Sequence, residues 1–170
     1  DEPGICELLT RSAESARRRG DLSQARALVE EAVQTARRIG NRTREAPAVG
    51  ILAGVEYDDG RVELALELYE RSAAIAAEVG FVWWQGIMLG TLAEYTQALG
   101  ETRDARRWYR QSLELLQRAG DRQNQLWALA ELARVAVDEG RLEDAGRLWG
   151  AIEAEETRAP LGWWATEREA

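Results

Sequence analysis

Glycine falls at positions 20, 60, 100 and 140, and again at 40, 80 and 120, with no insertion between them. A fixed period of this length marks a stack of one repeated supersecondary unit rather than a single irregular core. The segments that follow the first glycine set read GDLSQARALVEEAVQTARRIG, GRVELALELYERSAAIAAEVG, GETRDARRWYRQSLELLQRAG and GRLEDAGRLWGAIEAEETRAP. Each has the apolar spacing of an amphipathic helix and stops at glycine or, in the last, at Pro160. Within them Ala25, Ala65, Ala105 and Ala145 are each followed four residues later by a larger side chain, at Val29, Tyr69, Tyr109 and Trp149. That spacing puts both residues on one helix face, where the small one lets a neighbouring helix approach and the large one fills the groove beside it.

The residues before each of these glycines also have helical spacing. Leu9, Val49, Leu89 and Leu129 are followed four residues later by Ala13, Ala53, Ala93 and Ala133. Two helices per period, joined by glycine turns, form antiparallel hairpins that bury their apolar faces only by stacking on one another. The predicted fold is therefore all-α, a right-handed superhelix of about four hairpins in one domain, 1–170. The units run about 1–40, 41–80, 81–120 and 121–160, with 161–170 starting a further or capping helix. Asn41 and Asp121 stand where their side chains can cap the following helix. The segment 41–59 is predicted to start late or bend, because Pro47 lacks an amide donor and Gly50 and Gly54 lower helix propensity.

Composition narrows the chemistry. The chain has 170 residues, no histidine, one cysteine and no lysine, and its formal net charge is -8. Without histidine there is no Ser–His or Cys–His nucleophile pair, and with Cys6 alone there is neither a disulfide nor a zinc ligand set. No catalytic residue, cofactor or metal site is expected. The adjacent acids Glu30–Glu31, Asp58–Asp59 and Glu155–Glu156 read as solvated surface. The negative charge opposes direct nucleic-acid binding and attraction to anionic lipid. The longest uncharged stretch, Val79 to Ala93, falls short of the roughly 20 apolar residues of a membrane helix. A reducing cytoplasm fits this cysteine usage, and the arginine-only basic set suggests a GC-rich bacterial genome.

The small and aromatic residues of the second helices, with the leucine and alanine of the first, resemble tetratricopeptide repeats. The period is longer than that family's usual 34 and is similar to the repeats of MalT-like, LuxR-type bacterial regulators. The stretch AGDRQNQLWALAELARVAVDEGRLEDAGRLWGAIEAEE, followed by APLGWW, resembles the repeat region of large signalling ATPases of the LuxR and SARP regulator classes. The resemblance implies an interaction or effector-sensing scaffold attached to nucleotide-binding and output domains. A phosphate loop needs lysine, so this segment holds none. The ends of the chain read as those of a segment cut from a longer protein. The alternative is a free-standing adaptor that binds peptides or partner proteins.

In tetratricopeptide folds the first helices line the groove. That resemblance places Thr10, Glu14, Arg17, Gly50, Gly54, Tyr57, Ile87, Gly90, Thr91, Glu94, Gln97, Trp127, Glu131 and Arg134 beside it. The candidate partner surface is Trp83, Trp84, Ile87, Gly90, Thr91, Glu94, Tyr57, Trp127, Glu131 and Arg134, for a protein, peptide or small effector. The family's peptide-terminus clamp of Lys, Asn and Arg is missing. Gly50, Gly54, Gly86 and Gly90 cost helix propensity, which either close helix packing or a ligand backbone could offset. Trp108 and Trp149 read as core between repeats. Trp83–Trp84 recurs as Trp163–Trp164 and has two readings, a core or end-cap pair and a hot spot for a partner or for self-association.

Overall fold

The computed structural model describes residues 1–159, and the helix stop expected at Pro160, the Trp163–Trp164 pair and the helix expected from 161 lie outside them. The described residues form eight helices: α1 (Glu2–Arg18), α2 (Leu22–Arg38), α3 (Arg42–Asp58), α4 (Val62–Glu78), α5 (Val82–Ala98), α6 (Thr102–Ala119), α7 (Arg122–Asp138) and α8 (Leu142–Arg158). The turns close as the glycine ladder requires. Gly20, Gly40, Gly60, Gly80, Gly100, Gly120 and Gly140 all have positive φ, between 66° and 83°, a conformation costly for any other residue there. Asp1, Asp21, Asn41 and Asp121 accept the third-following backbone N–H with their side chains and cap α1, α2, α3 and α7.

Helix α3 does not start late. It begins at Arg42 and has the same 17 residues as α1, α2 and α4. Pro47 forfeits a single amide, while the Asn41 cap holds the Arg44 N–H at 3.0 Å and Ala46, Ala48, Val49, Ala53 and Val55 are buried. Burial of that many side chains outweighs the loss of one helical hydrogen bond.

Each helix packs on its sequence neighbour, and α1–α3, α3–α5 and α5–α7 also touch, so the odd helices share one face. One contact repeats through the hairpins. The Ser72 hydroxyl donates to the Ala46 carbonyl and the Ser112 hydroxyl to the Gly86 carbonyl, both at 2.7 Å. In the first hairpin the buried Cys6 thiol points at the Ala32 carbonyl, 3.8 Å away, and in the last the equivalent Leu126 and Ile152 are both buried. Polar pairing and apolar contact are thus alternatives at one site.

The interior glycines follow from packing. A Cβ on Gly50 would lie 2.6 Å from Met88 Sδ and 2.9 Å from a Trp84 ring carbon, and one on Gly90 would lie 2.6 Å from a Trp127 ring carbon and 3.0 Å from Ser112 Oγ. Gly86 meets Leu116 at 3.0 Å. Gly90→Ala is expected to lower stability by about 1 kcal/mol, because overpacking of roughly 1–3 kcal/mol outweighs the roughly 1 kcal/mol gain in helix propensity. A urea titration of the variant showing increased stability would contradict this packing account.

Two buried carboxylates tie α2, α3 and α4 together. Glu45 is 2% exposed and meets Arg37 at 2.8 Å, Arg42 at 2.7 Å and Arg71 at 3.7 Å. Glu56 pairs with Arg26 at 3.2 Å and with Arg61. Burial pushes the Glu45 carboxyl up, but the Arg37 and Arg42 hydrogen bonds outweigh it and hold it below the usual carboxylate range. Its contribution to stability is therefore present above the unfolded value of about 4.3 and is lost as pH falls through the lower folded value.

Candidate functional site

Phe81 occupies the N-cap of α5, where Asp1, Asn41 and Asp121 stand before α1, α3 and α7, and it makes no side-chain cap. A capping hydrogen bond is worth about 1 kcal/mol, so something else must favour an aromatic ring there. Phe81 packs against the core cluster of α1–α4 and starts an aromatic wall. Its ring centroid lies 6.1 Å from Trp83 and 6.4 Å from Trp84, and the two indoles are 5.8 Å apart.

This wall bounds a cavity of about 700 Å³ between α1, α3 and α5. Pro47 and Ile51 extend the apolar side, and Glu7, Thr10, Arg11, Glu14, Asn41, Thr43 and Arg44 form the polar side. Trp83 is 40% exposed, yet its indole N–H donates to Asp121 Oδ2 at 2.6 Å. Asp121 also caps α7 and accepts from the Asn124 side chain, so a rigid acceptor fixes an exposed ring. Trp84 is half-buried. Its N–H donates to Ser72 Oγ at 3.0 Å, and its ring packs against the core clusters on both sides.

The polar side is built from ion pairs. Glu7 pairs with Arg11 at 2.9 Å and with Arg44 at 2.7 Å. Glu14 pairs with Arg17 at 2.8 Å and Arg18 at 2.7 Å, and Arg17 reaches Asp58 at 2.8 Å. Burial would raise the Glu14 carboxyl, but these arginines hold it below the ordinary value, so it stays ionised. Gly54 lets Arg17 cross α3, since a Cβ there would lie 3.3 Å from the guanidinium. A site with one aromatic wall and one preorganised charged wall can bury an apolar group and hydrogen-bond its polar end. Among the described residues there is no His/Cys/Asp/Glu group arranged to hold a metal.

Of the groove and partner-surface residues expected from sequence, Thr10, Glu14, Trp83 and Trp84 line this cavity, and the others do not. Tyr57 stacks on Tyr95 with centroids 3.7 Å apart. Ile87 packs in the α3–α6 core and accepts the Thr91 hydroxyl at 3.1 Å, and Gly90 seats Trp127. Trp127 meets Tyr109 edge-on at 5.8 Å, the Tyr109 hydroxyl donates to Glu131 at 3.3 Å, and Arg134 pairs with Glu131. Glu94 is exposed. Trp108 packs between two core clusters, as expected of core, but Trp149, on the last described helix, is 43% exposed rather than buried. The adjacent acids are not all bare surface either, since Asp58, Asp59 and Glu155 hold arginines.

Glu131 differs electrostatically from Glu45. Burial raises its carboxyl, the pull of Arg134 and the Tyr109 hydroxyl opposes this, and Glu94 adds to it, leaving it above the usual carboxylate range. A carboxyl raised on folding favours the folded chain while protonated. That contribution is full below the unfolded value of about 4.3 and is lost as pH climbs through the folded value. Glu131→Gln is therefore expected to raise the unfolding midpoint at pH 7 and to have little effect at pH 4. Urea titrations at the two pH values check this, and a loss of stability at pH 7 would refute it.

Sequence reasoning missed Phe81, Glu7, Arg11, Asn41, Thr43, Arg44, Pro47 and Ile51 as cavity residues. The legible signal was Phe81, an aromatic residue at a capping position.

Comparison with known proteins agrees with this architecture. Residues 84–148 match the tetratricopeptide repeat family. No curated protein matches the chain. Among solved structures, aspartyl phosphate phosphatase F from Bacillus subtilis superposes with a TM-score of 0.89 at 13% identity, over 99% of this chain and 44% of that one. BtubC (BKLC) from P. vanneervenii gives 0.83 at 21% identity, over 95% and 66%. A signal transduction ATPase with numerous domains and a tetratricopeptide repeat sensor, PH0952 from Pyrococcus horikoshii, gives 0.79 at 16% identity, over 92% and 24%. The fold is thus a tetratricopeptide-like solenoid of helical hairpins, and the chain spans only part of each of these three proteins.

Proposed function

We propose that this chain is the partner-binding and effector-sensing segment of a cytoplasmic bacterial signalling ATPase or transcriptional regulator. The cavity between α1, α3 and α5 is its receptor site. The observation that carries this reading is Trp83, exposed at the cavity wall and held by Asp121 from another hairpin. A volume of about 700 Å³ falls within the range of about 300–1,000 Å³ typical of ligand sites. The sensor repeats named in PH0952 supply a precedent for such a role in a multidomain ATPase.

The mechanism follows from which elements the cavity joins. Its walls come from three successive odd helices, so an occupant touches three hairpins at once. Binding favours whichever hairpin packing closes the walls on the occupant, and that bias reaches any domain packed against the stack. The DNA sequence encoding the N-terminal neighbour of this segment should contain a phosphate loop, and its absence would favour the adaptor reading.

The site itself is tested with a displayed peptide library selected on the purified chain. Binding of the enriched peptides is expected to weaken at least about tenfold in Trp83→Ala and Arg44→Ala, as for anchor residues worth more than about 1.4 kcal/mol. Peptides that bind both variants as tightly as the parent chain would place the receptor site elsewhere.

A further inference from the structure

Helices α4 and α6 carry opposite charges at equivalent positions of the repeat. Glu63, Glu67 and Glu70 on α4 correspond, one period later, to Arg103, Arg107 and Arg110 on α6. The spacing of i, i+4 and i+7 sets each trio on one helix face. The neighbouring even helices lack it: α2 has Ser23, Ala27 and Glu30 there, and α8 has Glu143, Arg147 and Gly150. All six α4 and α6 residues are exposed. Among the described residues, Glu63, Glu67, Glu70, Arg103 and Arg110 make no ion pair, whereas most other arginines near them do. Arg107 has only a 3.7 Å approach to Asp104 and lies over the Trp108 ring at 4.3 Å.

The two stripes share one face. Glu70 and Arg107 stand on opposite sides of a groove of about 390 Å³ floored by Ala73, Leu89 and Trp108. The stripes are thus too far apart to neutralise each other within one chain, yet they match in length and register. Helices joined by short turns alternate in direction, so α4 and α6 run parallel. A two-fold axis parallel to them, lying along the groove, would lay α4 of one copy on α6 of the other and repeat the contact on the far side. Equal heights then oppose Glu63 to Arg103, Glu67 to Arg107 and Glu70 to Arg110. An axis perpendicular to the helices would instead oppose like charges.

We propose that a second copy of this chain docks on this face, with the α4 glutamates of each copy against the α6 arginines of the other. Two helices about 26 Å long and roughly 10 Å wide each offer about 500 Å² per copy, below the roughly 800 Å² of a standard interface. The dimer is therefore weak, with dissociation in the micromolar range or above, and it depends on salt.

Sedimentation velocity of the purified chain tests this. Dimer is expected at about 50 mM salt and monomer at about 500 mM. E63R/E67R/E70R alone and R103E/R107E/R110E alone should each weaken self-association at least about 100-fold, because both contacts then oppose like charges. All six positions are exposed, and circular dichroism of each variant is the check that it folds. Mixing the two variants should restore a one-to-one dimer, since an all-basic face then meets an all-acidic one. A parent chain that stays monomeric at 50 mM salt, a dimer indifferent to the reversals, or no association in the mixture would each overturn the proposal. Receptor-site binding is read separately, because none of the six residues lines that cavity.

Discussion

Trp84→Ala is expected to lower the unfolding free energy by about 3 kcal/mol, near the lower end of the range for large aromatic truncations because the ring is half-buried. Three losses combine. The ring leaves the gap between two core clusters, Gly50 loses the ring seated against it, and Ser72 loses the donor at 3.0 Å while keeping its own bond to Ala46. Trp83→Ala is expected to cost about 1 kcal/mol, since the residue is 40% exposed and Asp121 keeps two Asn124 donors. The adjacent indoles therefore separate into a packing residue and a presented one. Urea denaturation of both variants measures the difference, and equal losses would mean that Trp83 is core as well.

Tyr109→Ala is expected to cost about 4 kcal/mol. Tyr109 is fully buried, its ring meets Trp127 edge-on, and its hydroxyl is one of the few donors available to Glu131. Tyr109→Phe separates the parts: it keeps the ring and should cost about 1 kcal/mol, the net worth of one hydrogen bond. It also removes a group that lowers the Glu131 carboxyl, so that carboxyl should rise further. If the phenylalanine variant lost as much as the alanine one, the hydroxyl rather than the ring would hold this part of the stack together.

The helices and turns were legible because the repeat states them several times. Each turn glycine is confirmed by its counterparts one period away, and the caps at Asn41 and Asp121 were read off the residue after a glycine, while those at Asp1 and Asp21 were not. Helix α3 was the exception, because a local rule about Pro47 gave way to burial spread over the whole helix. The site was less legible, since it is made where the repeats differ. Trp83 and Trp84 stood out by breaking the pattern, though Phe81 beside them was passed over, and which indole points outward depends on Ser72 and Asp121, 12 and 38 residues away. Of the charged wall, Glu14 and Arg17 were placed beside the groove from sequence, but its pairing was not legible: Glu7 meets Arg44, and Arg17 meets Asp58, only once α1 and α3 lie side by side. Likewise, nothing near Glu45 in sequence announces a carboxylate held by arginines from three helices.

The central claim is that the odd-helix face near the start of the stack is the receptor. Hydrogen exchange of the chain with and without a bound, library-selected peptide tests it most directly, because amide protection reports locally on every helix. The account predicts new protection in α1, at the start of α3 and in the first turns of α5, with that protection absent in Trp83→Ala. Protection confined to α4, α6 or α8 would contradict it.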